Sequence, residues 1–291
     1  MIRRYVYAGL DFLFDRDGNH YFIEANSAPG VHGRVSILGK IADYMKKQGG
    51  VPCVMTSLKF RGHPDYPKLW VPNTMKKFLP GMRLCYEEHN KGRRKTLLDS
   101  DGNEFKPGSI FKNEGHVPRY FEGRVPIINS RKVTVITKDK LRTYDAVLGH
   151  IPEVPVPKTF SVRSERGARK RMEKNPGAFR DGFVLKPVDG ALGRGVRVYD
   201  SPDDSFGITH EMILQQRIIP RLRGGRYWDL RIHLLDGKFI GGIVRSSRKN
   251  VTNTARGGTA GPAPKDLTDR VRGISEKIVD AIEKESRKIR L

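Results

Sequence analysis

Two stretches of this sequence read as β-hairpins: VYAGLDFLFDRDGNHYFIEA at 6–25 and WDLRIHLLDGKFIGGIVRSS at 228–247. Each sets apolar-rich runs on both sides of an Asp-Gly pair, a strong short-range hairpin signal. On the first, Glu24 and Asn26 are spaced i, i+2 and so point to one face. On the second, Asp229 and Arg231 share a face, and Arg245 lies on the returning strand. Carboxylates, an amide and guanidinium groups on sheet faces are the frame into which the remaining segments must fit.

Those segments alternate in character. VSILGKIADYMKK at 35–47 puts Ile37, Ile41 and Tyr44 on one helix face. VPCVMTSL reads as a buried strand, LLDSDGNEF as a turn between strands, and RVPIINS as an apolar run. TKDKLRTYDAVLG at 137–149 reads as one helix. Prolines 152, 155 and 157 then impose an extended connector. A basic helix follows, then FVLKPVDGALGRGVRVYD at 183–200, a strand, glycine-rich turn and strand, and MILQQRII, another strand. After a polar glycine-rich loop, NVTNTARGGTAGPAP, the last segment spaces Val271, Ile274, Ile278 and Ile282 as a helix does, with Asp266 as the expected N-cap.

The 291 residues suffice for two domains at roughly 100–200 residues each. No apolar run reaches the roughly 18 residues of a membrane span. The opening MIRRYVYAGLDFLF is interrupted by Asp11 and lacks a small-residue cleavage site, which argues against a signal peptide. Two cysteines, Cys53 and Cys85, make neither a disulfide framework nor a zinc pattern, so a cytoplasmic location is the expectation. The net charge of +23 attracts polyanions: nucleic acid, nucleotides, phosphorylated metabolites or acidic peptides. No recognised nucleic-acid-binding motif accompanies it.

Four constellations carry chemistry, and each has a plainer alternative. Lys186 at a strand end, followed by Gly190, Gly193 and Gly195, can fold over phosphates, since glycines let backbone N–H groups approach oxygen. It is neither a Walker nor a Rossmann pattern, and an ordinary glycine-rich hairpin is the alternative. Arg231 and Arg245 form a cationic wall or a surface salt bridge. Asn253 and Arg256 present an amide and a guanidinium to an anion, or lie in a linker. Asp11, Glu24 and Asn26 supply oxygen ligands suited to magnesium, or simply edge polarity.

Taken together, these segments resemble the ATP-grasp superfamily of carboxylate–amine ligases, and most nearly its ribosomal-protein glutamate ligase branch. FVLKPVDGALGRGVRVYD is similar to the phosphate-covering loop, MILQQRII to the hinge strand beside adenine, and DLRIHLLDGKFIGGIVR with NTARGG to the D-x-R strand and N-x-x-R-G-G loop. GLDFLFDRDGNHYFIEANSAPG is similar to the closing metal-binding motif, E-x-N-x-x-P-G. That motif closes the family's order but comes first here, so the resemblance implies a circularly permuted α+β ATP-grasp fold. Residues 1–50 would be the end of the core, 51–150 a pre-ATP-grasp α/β domain, 151–220 a lid subdomain, and 221–291 a central subdomain completed by 1–50.

The resemblance also implies roles. Asp11, Glu24 and Asn26 would bind Mg2+. Lys140, Lys186, Gly193 and Gly195 would hold ATP phosphates, with Asn253 nearby. Gln215, Gln216, Arg217 and Ile218 would line the adenine hinge, where Gln216 replaces the usual glutamate. Arg231, Arg245 and Arg256 would face the transferring group. The implied reaction is ATP- and Mg-dependent amide formation through an acyl phosphate, on amino acid or peptide substrates with an acidic partner. A nucleic-acid-binding protein on a non-catalytic ATP-grasp fold, and an ATP-grasp kinase, are the alternatives. The restored order predicts that residues near both termini lie together.

Overall fold

The structure is a computed structural model that describes residues 2–29, 35–58, 67–113, 116–189, 195–248, 252 and 258–290. In chain order the elements begin with β1 (Tyr7–Phe14), β2 (His20–Asn26), α1 (Val35–Lys47), β3 (Val51–Thr56), α2 (Pro67–Phe78), β4 (Arg83–Tyr86) and α3 (Glu87–Asn90). Next come β5 (Leu97–Leu98), β6 (Glu104–Phe105), β7 (Pro107–Lys112), β8 (Ile127–Ile128), α4 (Arg131–Lys138), α5 (Lys140–His150) and β9 (Thr159–Val162). The remainder is α6 (Glu165–Glu173), α7 (Pro176–Phe179), β10 (Phe183–Pro187), β11 (Arg197–Tyr199), β12 (Met212–Gln216), β13 (Tyr227–Leu235), β14 (Lys238–Ser247), β15 (Thr259–Pro262) and α8 (Lys265–Lys288).

Both expected hairpins form. β1 and β2 are joined by a turn in which Asp15 accepts from the Asn19 backbone N–H at 2.7 Å. β13 and β14 are joined at Asp236-Gly237, both with positive φ, as a two-residue type I′ turn requires. The sequence does not reveal that the two hairpins are one sheet. β1 pairs antiparallel with β13, giving a five-stranded order β15-β14-β13-β1-β2. Period-2 alternation then sorts the side chains. Ala8, Leu10, Phe12, Leu230, Ile232 and Leu234 turn to one face and pack with Val271, Ile278 and Ile282 of α8, Val133 and Ile136 of α4, and Val147 of α5. Each fully buried Leu, Ile or Phe contributes roughly 1.5–3 kcal/mol. The opposite face carries Asp11, Glu24, Asn26, Asp229, Arg231 and Arg245, in register across four strands.

A second antiparallel sheet, β11-β10-β12-β9, packs Phe183, Leu185, Met212 and Leu214 beneath Ala168 and Met172 of α6 and Phe179 of α7. Its other face carries Lys186, Gln215 and Thr159. A third sheet, β4-β3-β7-β8, is parallel. Val54 and Phe111 pack against α1 on one side, and Cys53, Cys85 and Ile110 form a second cluster on the other. Both cysteines are buried free thiols.

Three expected features are corrected. The stretch NVTNTARGGTAGPAP, expected as a loop, contains β15, which pairs antiparallel with β14. The helix expected over 137–149 is two helices: Asp139 adopts extended backbone, ends α4, and caps α5 by accepting from the Arg142 N–H at 3.0 Å. Asp266 is not an N-cap; Pro264 holds that position without a side-chain cap, and Asp266 lies in the first turn of α8. A carboxylate there still interacts favourably with the helix dipole. Among the described residues, no helix is long and apolar enough to cross a membrane.

Candidate active site

Asp11 lies opposite Arg231 on β13 and Glu24 on β2. Cross-strand register therefore places the expected carboxylates and arginines side by side, where directly opposed side chains touch. Arg231 donates from Nε and Nη2 to the two Asp11 oxygens at 2.6 and 2.7 Å, a bidentate pair. Arg245 bridges the two aspartates: Nη2 donates to Asp11 at 2.9 Å, and Nε and Nη2 donate to Asp229 at 2.7 and 2.8 Å. Thr252 donates its hydroxyl to Asp229 as well. All four charged residues of this network are buried. Burial alone would raise the Asp11 carboxyl, but Arg231 and Arg245 outweigh it and hold the group at about 2. Burial dominates at Asp229, whose carboxyl is raised despite Arg245, with the Asp11 charge adding to the rise.

The segment after β2 folds back over this face. Pro29 sits against Gly9, where a Cβ would lie 2.4 Å from the Pro29 Cβ. Only glycine admits so close an approach. Asn129, just after β8, fixes the start of β1: its Oδ1 accepts from the Val6 and Tyr7 N–H groups at 2.7 and 2.8 Å, and its Nδ2 donates to the Ser27 carbonyl at 2.6 Å.

Glu24 faces two lysines from other elements. Lys140, the first residue of α5, places Nζ 3.6 Å from a Glu24 oxygen. Its backbone N–H donates to the Val188 carbonyl at 3.3 Å, tying α5 to the segment after β10. Burial lowers the Lys140 ammonium, Glu24 opposes that, and the neighbouring Lys186 lowers it further. Lys186 is buried; desolvation brings its ammonium down to about 8, with Glu24 pulling the other way. Formal charges cancel within the two-aspartate, two-arginine network, whereas Lys140 and Lys186 share Glu24. Asp189 also acts on Lys140, so two ammonium groups face two carboxylates here, and the ammonium groups suit the corner to an anion.

Gly195 is left-handed (φ +71) and packs on Pro187, two features that favour glycine. The hinge glutamines are occupied by the protein. Gln215 accepts from Lys186 Nζ at 2.8 Å, and Gln216 accepts from the Lys158 N–H at 3.1 Å. Arg217 pairs with Asp200, and Ile218 is buried. Gly193, Asn253 and Arg256 lie outside the described residues. The sequence did not single out Tyr144, which joins Lys186 and Gln215, or Asn129; an aromatic on a helix face and an asparagine after an apolar run carry no distinctive local signal.

Magnesium takes one or two carboxylates, with waters and substrate phosphates completing the shell. Glu24 fits it, with a side chain 30% exposed; Asn26 would ligate through its Oδ1, and its buried Nδ2 is a donor without a hydrogen-bond partner. Asp11 is already engaged through both oxygens by guanidinium groups. Among the described residues, no three or more His, Cys, Asp or Glu gather as a metal cluster.

The fold resembles solved structures at low sequence identity. A Methylobacillus flagellatus KT protein named as a gamma-glutamylcysteine synthetase matches with a TM-score of 0.58 and 14% identity, over 98% of this chain and 89% of that one. D-alanyl-alanine synthetase A from Vibrio cholerae O1 biovar eltor str. N16961 matches with a TM-score of 0.50 and 9% identity, over 82% of each. At such identities the likeness is one of fold. A family model, the RimK-like ATP-grasp domain, matches residues 137–287, more than half of the chain. This span includes Lys140, Lys186, Gln215, Arg231 and Arg245, and the chain belongs to the RimK-like ATP-grasp family.

Proposed function

We propose that the protein is an ATP-dependent carboxylate–amine ligase whose nucleotide lies between the β10–β12 sheet, acting as a lid, and the charged face of the five-stranded sheet. The observation that carries this reading is the convergence of Lys140, Lys186 and Glu24 from three separate elements. A substrate carboxylate oxygen attacks the γ-phosphorus, the bond to the bridging oxygen breaks, and ADP leaves with an acyl phosphate formed. An amine then attacks the acyl carbon, phosphate leaves, and the amine proton is lost as the amide forms.

The protein's part is positioning and charge neutralisation. Lys140 and Lys186 hold the phosphates. Arg231 and Arg245 are fixed by Asp11 and Asp229, so their charge is preorganised where negative charge develops. Glu24 and Asn26, with Asp11 beside them, would hold Mg2+, which supplies neutralisation of the phosphate oxygens. Gly195 would offer its backbone N–H to the phosphates, and the backbone of Arg217 and Ile218 would border the adenine.

The motif order supports reading the chain as a permuted ATP-grasp fold, with 1–50 completing the core of 221–291. Arg3 bonds Asp280 at 2.6 Å, and the Arg4 and Tyr5 N–H groups both donate to Glu283, at 2.9 and 2.8 Å.

Incubation with magnesium, ATP and panels of acids and amines, with product mass analysis, tests the reaction. Amine-dependent ADP release with a matching amide is expected. Glu24→Ala and Lys186→Ala should each lower it about a hundredfold or more while leaving the circular dichroism spectrum unchanged. Full turnover by either variant contradicts the site, and amine-independent ADP release indicates a kinase instead.

A further inference from the structure

Five polar groups, from β2, α5, β12, β9 and the connector before β9, form one chain around the Lys186 ammonium, and its direction is determined. The Ile23 carbonyl on β2 can only accept, so Tyr144 donates its single phenolic proton there, at 2.6 Å. The phenol oxygen must then accept from Gln215, whose Nε2 stands 3.1 Å away. The second Nε2 proton goes to the Thr159 hydroxyl at 2.8 Å, and Thr159 gives its own proton to the Pro157 carbonyl at 2.6 Å. This leaves Gln215 Oε1 to accept from Lys186 Nζ at 2.8 Å, with the phenol oxygen a second acceptor at 3.5 Å. Flipping the amide would set its NH2 against the ammonium and its oxygen against the Thr159 oxygen.

We propose that Tyr144 and Gln215 are positioning residues: they aim the Lys186 ammonium and latch the β10–β12 sheet to β2, the strand that carries Glu24. This inference rests on the reading of Lys186 as a phosphate-holding lysine. Gln215 is thereby taken out of adenine recognition and placed behind the lysine. A buried ammonium is costly to maintain, and an apolar residue would serve stability better. A network of fixed polarity around such a group is more readily explained by aim than by packing. Lys140 and Tyr144 are one helical turn apart on α5, so one helix face sets both lysines against the same strand. The latch also joins elements that a domain closure would move relative to one another.

The test is a double-mutant cycle on nucleotide binding, with no turnover required. Affinity for magnesium adenylyl imidodiphosphate is measured by calorimetry. Tyr144→Phe and Gln215→Leu should each weaken binding about five- to tenfold in the native background, and less than about twofold in a Lys186→Met background. Equal losses in both backgrounds overturn the proposal. A second measurement is independent of nucleotide: acetylation of Lys186 by a sulfosuccinimidyl ester, followed by peptide mass spectrometry. Tyr144→Phe should accelerate it by about threefold or more, because the ammonium loses the phenol acceptor and Gln215 loses the oxygen that orients its amide. An unchanged rate overturns the proposal. Failure of the native protein to bind nucleotide would defeat the ligase reading, and the acetylation rate would still decide the positioning role.

Discussion

At the scale of single residues, the site keeps charges where stability alone would not. Lys186 is lowered to about 8 from its ordinary 10.5 by desolvation, with Glu24 opposing. In the folded protein the lysine releases its proton more readily than in the unfolded chain. Its charge therefore costs stability below pH 8, and that cost disappears as pH rises toward 10.5. The interval corresponds to about 3 kcal/mol for a fully buried group. Lys186→Met should consequently raise unfolding free energy most below pH 8, and the gain should shrink between pH 8 and 10.5. Urea titrations across that range measure it, and a gain that does not vary with pH is the contrary result. Asp11 is the opposite case. Its carboxyl is held below the usual range, so its pairing with Arg231 and Arg245 stabilises the fold above about pH 4 and is lost only as pH falls through about 2.

At the scale of elements, Asn129 is the joint between the parallel sheet and the sheet that carries the site. Its side chain serves the Val6 and Tyr7 N–H groups and the Tyr7 and Ser27 carbonyls. Unpaired buried backbone groups cost roughly 1–3 kcal/mol each, so Asn129→Ala should lower unfolding free energy by about 3 kcal/mol or more. Denaturant unfolding tests this, and a loss below about 1 kcal/mol would mean that water replaces the amide. Elements of this kind were unequally legible. Both Asp-Gly hairpins and the face that carries Glu24 and Asn26 could be read locally, because turn chemistry and period-2 alternation are local. The partnership of β1 with β13 could not, since alternation assigns a face but names no neighbour. The break at Asp139 was hidden within a continuous helical pattern, where an aspartate serves equally as an interior residue or a cap. The engagement of Asp11 by two arginines depended on that unseen partnership.

At the scale of the whole molecule, two features lead to tests: the closeness of residues 3–5 to 280–286, and the charge. If the motif order is a permutation, a variant in which a short linker joins Arg290 to Ile2 and the chain is opened between the exposed Gly49 and Gly50 should fold. An unchanged near-ultraviolet circular dichroism spectrum is expected, and loss of cooperative unfolding is the contrary result. On the proposed ligase reading, the net charge of +23 favours an acidic acceptor. Product formation at saturating ATP should therefore fall as salt rises, since exposed charges are screened beyond about 8–10 Å near physiological ionic strength. Turnover that is insensitive to salt would exclude a polyanionic acceptor.

The pairing of β1 with β13 also has a consequence for biosynthesis. Asp11 and Arg231 are separated by 220 positions. A ribosome adding roughly 5–20 residues per second leaves the nascent β1–β2 hairpin without its neighbour for about 10–45 s. Leu10, Phe12 and Phe22 must be shielded during that interval, by a chaperone or by transient contacts, before the strand that completes their sheet has been translated.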